Sequence, residues 1–477
     1  MSEEENSLTC PVCPLDLTTL SLEARQNHVL QCLEKEDNSE DVLFTPTLPN
    51  DVPVQEAGSQ DQHQWSIVFK RPASDPINPT GTEKKRYKQS SSPIAGPGNG
   101  SERRRKRACP FYKWIPGTKV TVDAFAFGAI QECDAYFLTH FHSDHYGGLT
   151  KTWAHGPIFC SHVTANLVKG RLGVQEDWVK PLEMDRAIYI PELKGHVTLI
   201  EANHCPGSVL FLFELADQPG QEKRAILHTG DFRAIPDQIR HPSLRNRLLH
   251  TLFLDTTYLD PKYTFPPQTL VLEEIQRSYS SREKTLFLVG TYSIGKERVI
   301  KAVAQALGSK VWASGEKRRI LGWLQDDTLS SLLTTDPTEA QVHCCGMWDL
   351  KEEALAEYLS AHVLKGTGYT RLVAFRPTGW TFSPPKGRGE QTPDRVVLQA
   401  KRLTPQVWIY PVPYSEHSSF RELQGFIRSI QVERVIPTVG VSSPQTRKRM
   451  TYWLGRWKED KAKNGLSPLP DPLIPHW

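Results

Sequence analysis

No run of apolar residues in this 477-residue chain approaches the length a bilayer-spanning helix needs, which excludes a helical membrane protein. A charged-then-apolar leader is also missing: the chain opens Met1-Ser2-Glu3-Glu4-Glu5, so no secretory targeting is expected. Cysteine is sparse. Its nine residues are odd in number and irregularly spaced, unlike the paired framework of a secreted disulfide scaffold. Excess charge is lacking too; a net of +3 selects no partner by bulk electrostatics. The expectation is a soluble intracellular protein with reduced thiols, long enough for roughly two to four domains.

What the chain does have is Thr139–Gly148, THFHSDHYGG, with His140, His142, Asp144 and His145 within six residues. The preceding run Ala135-Tyr136-Phe137-Leu138 is short, rich in β-formers and ends abruptly in polar residues. That is the pattern of a buried strand emptying into a loop. His140 and His142 lie two apart, so in extended geometry both imidazoles leave the backbone on one side. Two converging nitrogens suit a zinc site, and Asp144 with His145 can begin a second. A lone histidine would read as an ordinary loop residue; four such groups in six positions do not.

Upstream, Cys10, Cys13, His28 and Cys32 follow C-x2-C-x14-H-x3-C. The cysteine pair suits a tight turn, while His28 and Cys32 fall on one face of a helical run. Together they predict a closed zinc site in residues 1–35 that supplies the folding energy so small a unit lacks. Residues 36–107 are rich in Pro, Ser, Gly and charged residues with few aromatics, and read as a disordered linker. It carries two basic blocks, Lys84–Lys88 and Arg103–Arg107, of the kind that act as nuclear localisation signals or phosphate-binding arms.

From Cys109 onward, short apolar runs alternate with Gly, Pro and Asp. Strands are expected at Val120–Phe127, Ala135–Thr139, Val197–Ala202, Val209–Glu214, Ala225–His228 and Thr251–Leu254, with helical segments such as Val163–Lys169 between them. The class is α/β. Two of these strands also empty into polar turns, at Asn203-His204-Cys205 and Thr229-Gly230-Asp231. Three strand ends can therefore deliver His140, His142, His204 and Asp231 to one edge of a sheet. His343, beside Cys344-Cys345, lacks partners at a useful spacing and is assigned to packing.

These residues resemble a known family. Asp123, HFHSDH, His204 and Asp231 are similar to the metallo-β-lactamase superfamily. CPFYKWIPGTKVTVDAF (109–125), ANHCPGSVLFLFE (202–214), LHTGDFR (227–233), LDTTY (254–258), GTYSIGKER (290–298), FRPTGW (375–380) and VPYSEHSSF (412–420) narrow it to the β-CASP branch, among the DNA interstrand cross-link repair nucleases related to Artemis and Apollo. The resemblance runs from about Cys109 to Trp457. It implies a four-layer αβ/βα sandwich: residues 108–257 form the first part of the metallo-β-lactamase domain, 258–400 an inserted β-CASP domain, 401–460 the second part, and 461–477 a tail. The N-terminal module resembles the Cys-Cys-His-Cys ubiquitin-binding fingers of repair proteins. Two positions after its histidine, where that family commonly has an acidic residue, this chain has Leu30.

By resemblance, His140, His142, His204 and Asp231 hold a tighter zinc, and Asp144, His145 and a bridging Asp231 a weaker second ion (Zn, Mg or Mn). Asp123 orients the histidine-rich loop. Asp255 and His417 match the acidic and histidine motifs of the β-CASP branch. RNA-processing members carry a further metal-binding histidine where this chain has Val439, as DNA-acting members do. From the residues themselves, zinc would acidify water and polarise a phosphodiester oxygen, and His417 oriented by Asp255 would serve as acid for the departing 3′ oxygen. Thr291–Arg298, a glycine-containing turn opening a helix, offers backbone N–H groups with Ser293 and Lys296 as a phosphate grip, and Arg376 adds charge; its spacing is not that of a nucleotide-binding P-loop. The expected activity is a nuclear, monomeric, zinc-dependent 5′→3′ DNA exonuclease leaving 5′ phosphates and acting on cross-linked DNA, with DNA and ubiquitin as partners and no membrane. An RNA-processing endonuclease, a small-molecule metallo-hydrolase and a ubiquitin- or DNA-tethered scaffold are the other readings.

Overall fold

The computed structural model describes residues 108–216, 223–278, 284–379, 396–472, 474 and 476–477. The expected finger, linker and both basic blocks lie outside the described residues.

Four short strands, β1 Val120–Val122, β2 Ala135–Phe137, β3 Ile158–Ser161 and β4 Val179–Leu182, pair in chain order as a parallel sheet. Parallel sheets are covered on both faces, and β1, β2 and β3 are buried at every position. The strand expected over Val120–Phe127 is cut short because Asp123 takes a positive φ of 51° and turns the chain out of extended geometry.

The next strands, β5 Ile188–Ile190, β6 Gly195–Glu201, β7 Val209–Leu215, β8 Arg224–His228 and β9 Leu248–Leu254, build a second sheet facing the first. Alternation explains how a continuous apolar run fills two cores at once. On β7, Val209, Phe211, Phe213 and Leu215 point between the sheets, where Phe137 and Val197 meet them. Leu210 and Leu212 point outward to a second core closed by Phe426 and Trp457 of later helices. On β2, Tyr136 faces a third core with Ala165 and Val168 of helix His162–Leu172. The layers are therefore helix, sheet, sheet, helix.

A third sheet then intervenes: β10 Thr285–Thr291, β11 Val311–Trp312, β12 Leu333–Thr334, β13 Val342–Gly346, β14 Arg371–Pro377, β15 Lys401–Arg402 and β16 Val407–Val412, ordered β12-β11-β13-β10-β14-β16-β15. Its extent corrects the expected return to the first domain at 401. β16 pairs with β14 from Leu372↔Val407 to Pro377↔Val412, so the chain leaves this sheet only after Val412. A parallel strand carries no local mark of the sheet it joins. The chain then returns through helix Phe420–Ser429 to β17 Gln431–Pro437, parallel to β9, and on to helix Pro444–Asn464, which runs past the expected start of the tail at 461. No helix among the described residues is long and apolar enough to cross a membrane.

His343 is fully buried on β13, its Nδ1 2.8 Å from the Tyr358 hydroxyl and its Nε2 3.0 Å from the Pro337 and Ala340 carbonyls. That is the packing assignment expected of it.

Candidate active site

Three strand ends converge as the spacing anticipated. β2 runs into Thr139–His142, β6 into His204, and β8 into Asp231. Gly230 permits the closest approach: its φ is 54°, and a Cβ there would lie 2.7 Å from Thr139 Cβ.

Four nitrogens face one another without hydrogen bonds that could hold them all. His140 Nε2 lies 3.0 Å from His142 Nδ1, which lies 3.2 Å from His204 Nε2. His145 Nε2 lies 3.2 Å from Asp231 Oδ2, and the same oxygen stands 3.8 Å from His140 Nε2 and 4.0 Å from His204 Nε2. Every outer ring nitrogen has its own partner. Thr139 gives its hydroxyl proton to Asp123 Oδ2 at 2.8 Å, so its oxygen receives His140 Nδ1–H at 2.9 Å. His142 Nε2 faces the Ile294 carbonyl at 3.4 Å, His204 Nδ1 donates to the Glu416 carbonyl at 2.7 Å, and His145 Nδ1 contacts Asp123 Oδ2 at 2.7 Å. Acceptors on the outer nitrogens of His140, His142 and His204 leave lone pairs aimed inward. A nitrogen-rich set with one carboxylate fits a divalent ion of borderline softness.

Electrostatics agrees for the three imidazoles of the first group. Burial pushes His204 down to about 3 and His140 well below the usual imidazole range, the neighbouring histidines adding to the effect. Burial alone would raise Asp231, but the His145 imidazolium outweighs it and holds the carboxyl well below the carboxylate range. Cys205 joins the cluster, its sulfur within 4.8 Å of ligand atoms of His140, His142 and His204; burial pushes its thiol well above the ordinary value.

Asp123 accepts from the Thr139 backbone N–H at 2.9 Å as well, so both its oxygens are spent on the histidine loop. The Asp144 side chain stands 77% exposed, its Oδ2 3.6 Å from His145 Nε2, on the open side of the cluster. Beyond His204, whose ring centroid lies 4.8 Å away, His417 gives Nδ1 to Asp255 Oδ2 at 2.8 Å. Burial would lower the His417 pKa, but the Asp255 carboxylate overrides it and raises it to about 9. Asp255 is itself fixed by the Phe232 and Thr257 N–H groups and the Thr257 hydroxyl. Val439 contributes only backbone here, its carbonyl accepting from the Thr256 hydroxyl at 2.7 Å.

The expected phosphate grip needs correction at Lys296. Its ammonium is buried and donates to Glu416 Oε2 at 2.7 Å, so its charge is neutralised inside the protein. Burial opposes the Glu416 charge, yet Lys296 holds that carboxyl down to about 2. Ser293 is half-buried, its carbonyl accepting from Lys317 Nζ at 2.9 Å. Arg376, on β14, donates to the Leu350 carbonyl. Glu416 and Cys205 were missed in the sequence. Both stand beside a recognised histidine, but nothing local told which of them would face the cluster.

A two-sheet α/β sandwich with a histidine-rich cluster at its strand ends, able to hold a metal ion, defines the class. A profile described as "DNA repair metallo-beta-lactamase" matches residues 327–443. The DNA cross-link repair protein pso2/snm1 of Schizosaccharomyces pombe is 37% identical over 97% of this chain and 80% of its own. The DNA cross-link repair protein SNM1 of Arabidopsis thaliana is 43% identical over 74% of this chain and 70% of its own, and the 5′ exonuclease Apollo of Gallus gallus 33% identical over 68% and 63%. The chain belongs to the DNA cross-link repair family of metallo-β-lactamase-fold proteins.

Proposed function

We propose that this chain is a zinc-dependent 5′→3′ DNA exonuclease, which hydrolyses phosphodiesters to 5′-phosphorylated products in the nuclear repair of interstrand cross-links. The observation that carries the hydrolase reading is the inward lone pairs of His140, His142 and His204 around Asp231, set beside the His417–Asp255 pair. Exonuclease direction and cross-link substrate rest on family membership and on the names its relatives carry.

His140, His142, His204 and Asp231 would hold the tighter ion, and His145, Asp144 and Asp231 a weaker one. Bound zinc supplies Lewis acidity at a phosphodiester oxygen and acidifies water. The remaining work belongs to the chain. Asp255 occupies His417 Nδ1, so Nε2 is the nitrogen left to deliver a proton to the departing 3′ oxygen. A pKa near 9 keeps that proton available at neutral pH. Asp123 fixes Thr139 and His145, and so the aim of the ligand loop. Val439 supports DNA over RNA, since it offers no imidazole. The finger at Cys10, Cys13, His28 and Cys32 would recruit ubiquitinated repair proteins, and the basic blocks would add phosphate contacts.

The test is a time course on single-stranded DNA with a 5′ phosphate and a 3′ label, beside its 5′-hydroxyl twin and matched RNA. A ladder shortening from the 5′ end, lost on chelation and restored by zinc, is expected. Zinc-loaded protein that leaves DNA intact but hydrolyses RNA or a small ester overturns the reading.

A further inference from the structure

The histidine cluster is held from two sheets, and the second hold comes from the inserted one. The turn after β10, Tyr292–Lys296, reaches the cluster twice. The Ile294 carbonyl faces His142 Nε2 at 3.4 Å. Lys296 donates its backbone N–H to Glu416 Oε1 at 2.8 Å and its ammonium to Oε2 at 2.7 Å, while the Glu416 carbonyl accepts from His204 Nδ1 at 2.7 Å. We propose that Lys296 and Glu416 are positioning residues of the metal centre: their buried pair fixes the carbonyls that set the tautomer and aim of His204 and His142. Metal affinity thereby depends on the docking of the inserted sheet. This rests on the reading that the cluster holds a divalent ion.

The backbone is built for this contact. Lys296 adopts φ 71°, a left-handed conformation that costs a non-glycine residue free energy and persists only where its surroundings impose it. Gly295 has φ 100°, and a Cβ there would come within 2.9 Å of Glu416 Oε2, so a side chain would push the carboxylate away. The turn is clamped from its other side as well. Lys317 Nζ donates to the carbonyls of Tyr292 at 2.8 Å and Ser293 at 2.9 Å, and Glu297 accepts from the Gly295 N–H at 2.8 Å.

A buried ion pair is a weak source of stability, because desolvation offsets most of its attraction; its better-attested use is to fix one arrangement over others. Here that arrangement is the register between Ile294 and His142 and between Glu416 and His204. A lysine meant for a DNA phosphate would present its ammonium to solvent. This one lies 7% exposed on a carboxylate that is 6% exposed.

The test is metal binding by the full-length chain. Zinc affinity is measured by competition with a chromophoric chelator, and the visible spectrum of the cobalt-loaded protein is recorded. Full-length His140→Ala/His142→Ala protein is the reference for metal held elsewhere. Lys296→Met and the nearly isosteric Glu416→Gln are each expected to weaken metal binding by up to about 10-fold, the low end of the range for groups hydrogen-bonded to a ligand because the pair acts through those carbonyls, and to shift the cobalt bands. Lys296→Arg should recover part of the loss. Binding of metal-free Lys296→Met protein to 5′-phosphorylated single-stranded DNA should match the unaltered chain. If Lys296→Met does not fold, Glu416→Gln decides alone. Unchanged zinc affinity and cobalt bands in the folded variants overturn the inference, and weaker DNA binding alongside them would make Lys296 a phosphate donor. A wild-type chain that binds no more metal than the reference would overturn the metal-site reading itself.

Discussion

Asp144 and Asp231 are carboxylates of one cluster at opposite exposures, 77% for the first side chain and 11% for the second. Asp231 is wedged among His140, His145 and His204, so its replacement would disturb packing and chemistry together. Asp144 carries no such structural duty. Asp144→Ala is therefore expected to lower cleavage by roughly 100-fold or more, since it strips a proposed ligand from the weaker site. Its melting temperature should stay close to that of the unaltered chain, because exposed substitutions change stability by about 0.5 kcal/mol or less. Gel-resolved digestion beside a thermal melt separates the two effects. Full activity would remove Asp144 from the site. His140, His142, Asp144, His145, His204 and Asp231 were all legible as ligand types, because H-x-H-x-D-H and strand-end turns are local patterns. The partners of their outer nitrogens were not: Ile294 lies 152 positions from His142, and Glu416 212 from His204.

At the scale of the element, β13 shows what burial does to a titratable group. Burial, with the nearby His362 charge adding to it, lowers His343 from 6.5 to about 4. The folded chain thus refuses a proton that the unfolded chain accepts below about pH 6.5. This site's stabilisation is complete above that pH and declines as pH falls toward about 4, by at most about 3 kcal/mol. Urea titrations across that window should show the loss, and a His343→Gln variant, weaker throughout, should show a flatter dependence. The last helix offers a packing test. Trp457 is fully buried, its ring centroid 5.2 Å from that of Phe420, in the core that covers the outer face of the second sheet. Trp457→Ala should cost about 3–5 kcal/mol, read from denaturant midpoints. Strands such as β7 were readable from composition because both faces are buried. The assignment of β16 to the inserted sheet was not, since pairing partners are chosen in three dimensions.

For the whole molecule, residues 108–477 supply every side chain of the cluster and three sheets that share their buried cores. Cys10→Ser should therefore unfold the proposed finger yet leave the rate on short single-stranded DNA nearly unchanged, measured at matched zinc content. A large loss would bring the finger into the catalytic unit. Reduced recruitment to ubiquitin-bearing partners, with that rate intact, is the expected deficit.

The sequence by itself determined the ligand types, the α/β class, the strand ends that carry the chemistry and the family to which the chain belongs. The first three depend on periodicity or spacing within a few residues, which the chain writes directly; the family came from the resemblance of many blocks between Cys109 and Trp457. Tertiary structure alone decided that Lys296 spends its charge on Glu416, that Cys205 joins the histidines, and that the inserted sheet extends to Val412. Those outcomes depend on which distant backbones come within hydrogen-bonding distance. A buried lysine and a solvent-facing one read identically until the fold removes the water from one of them.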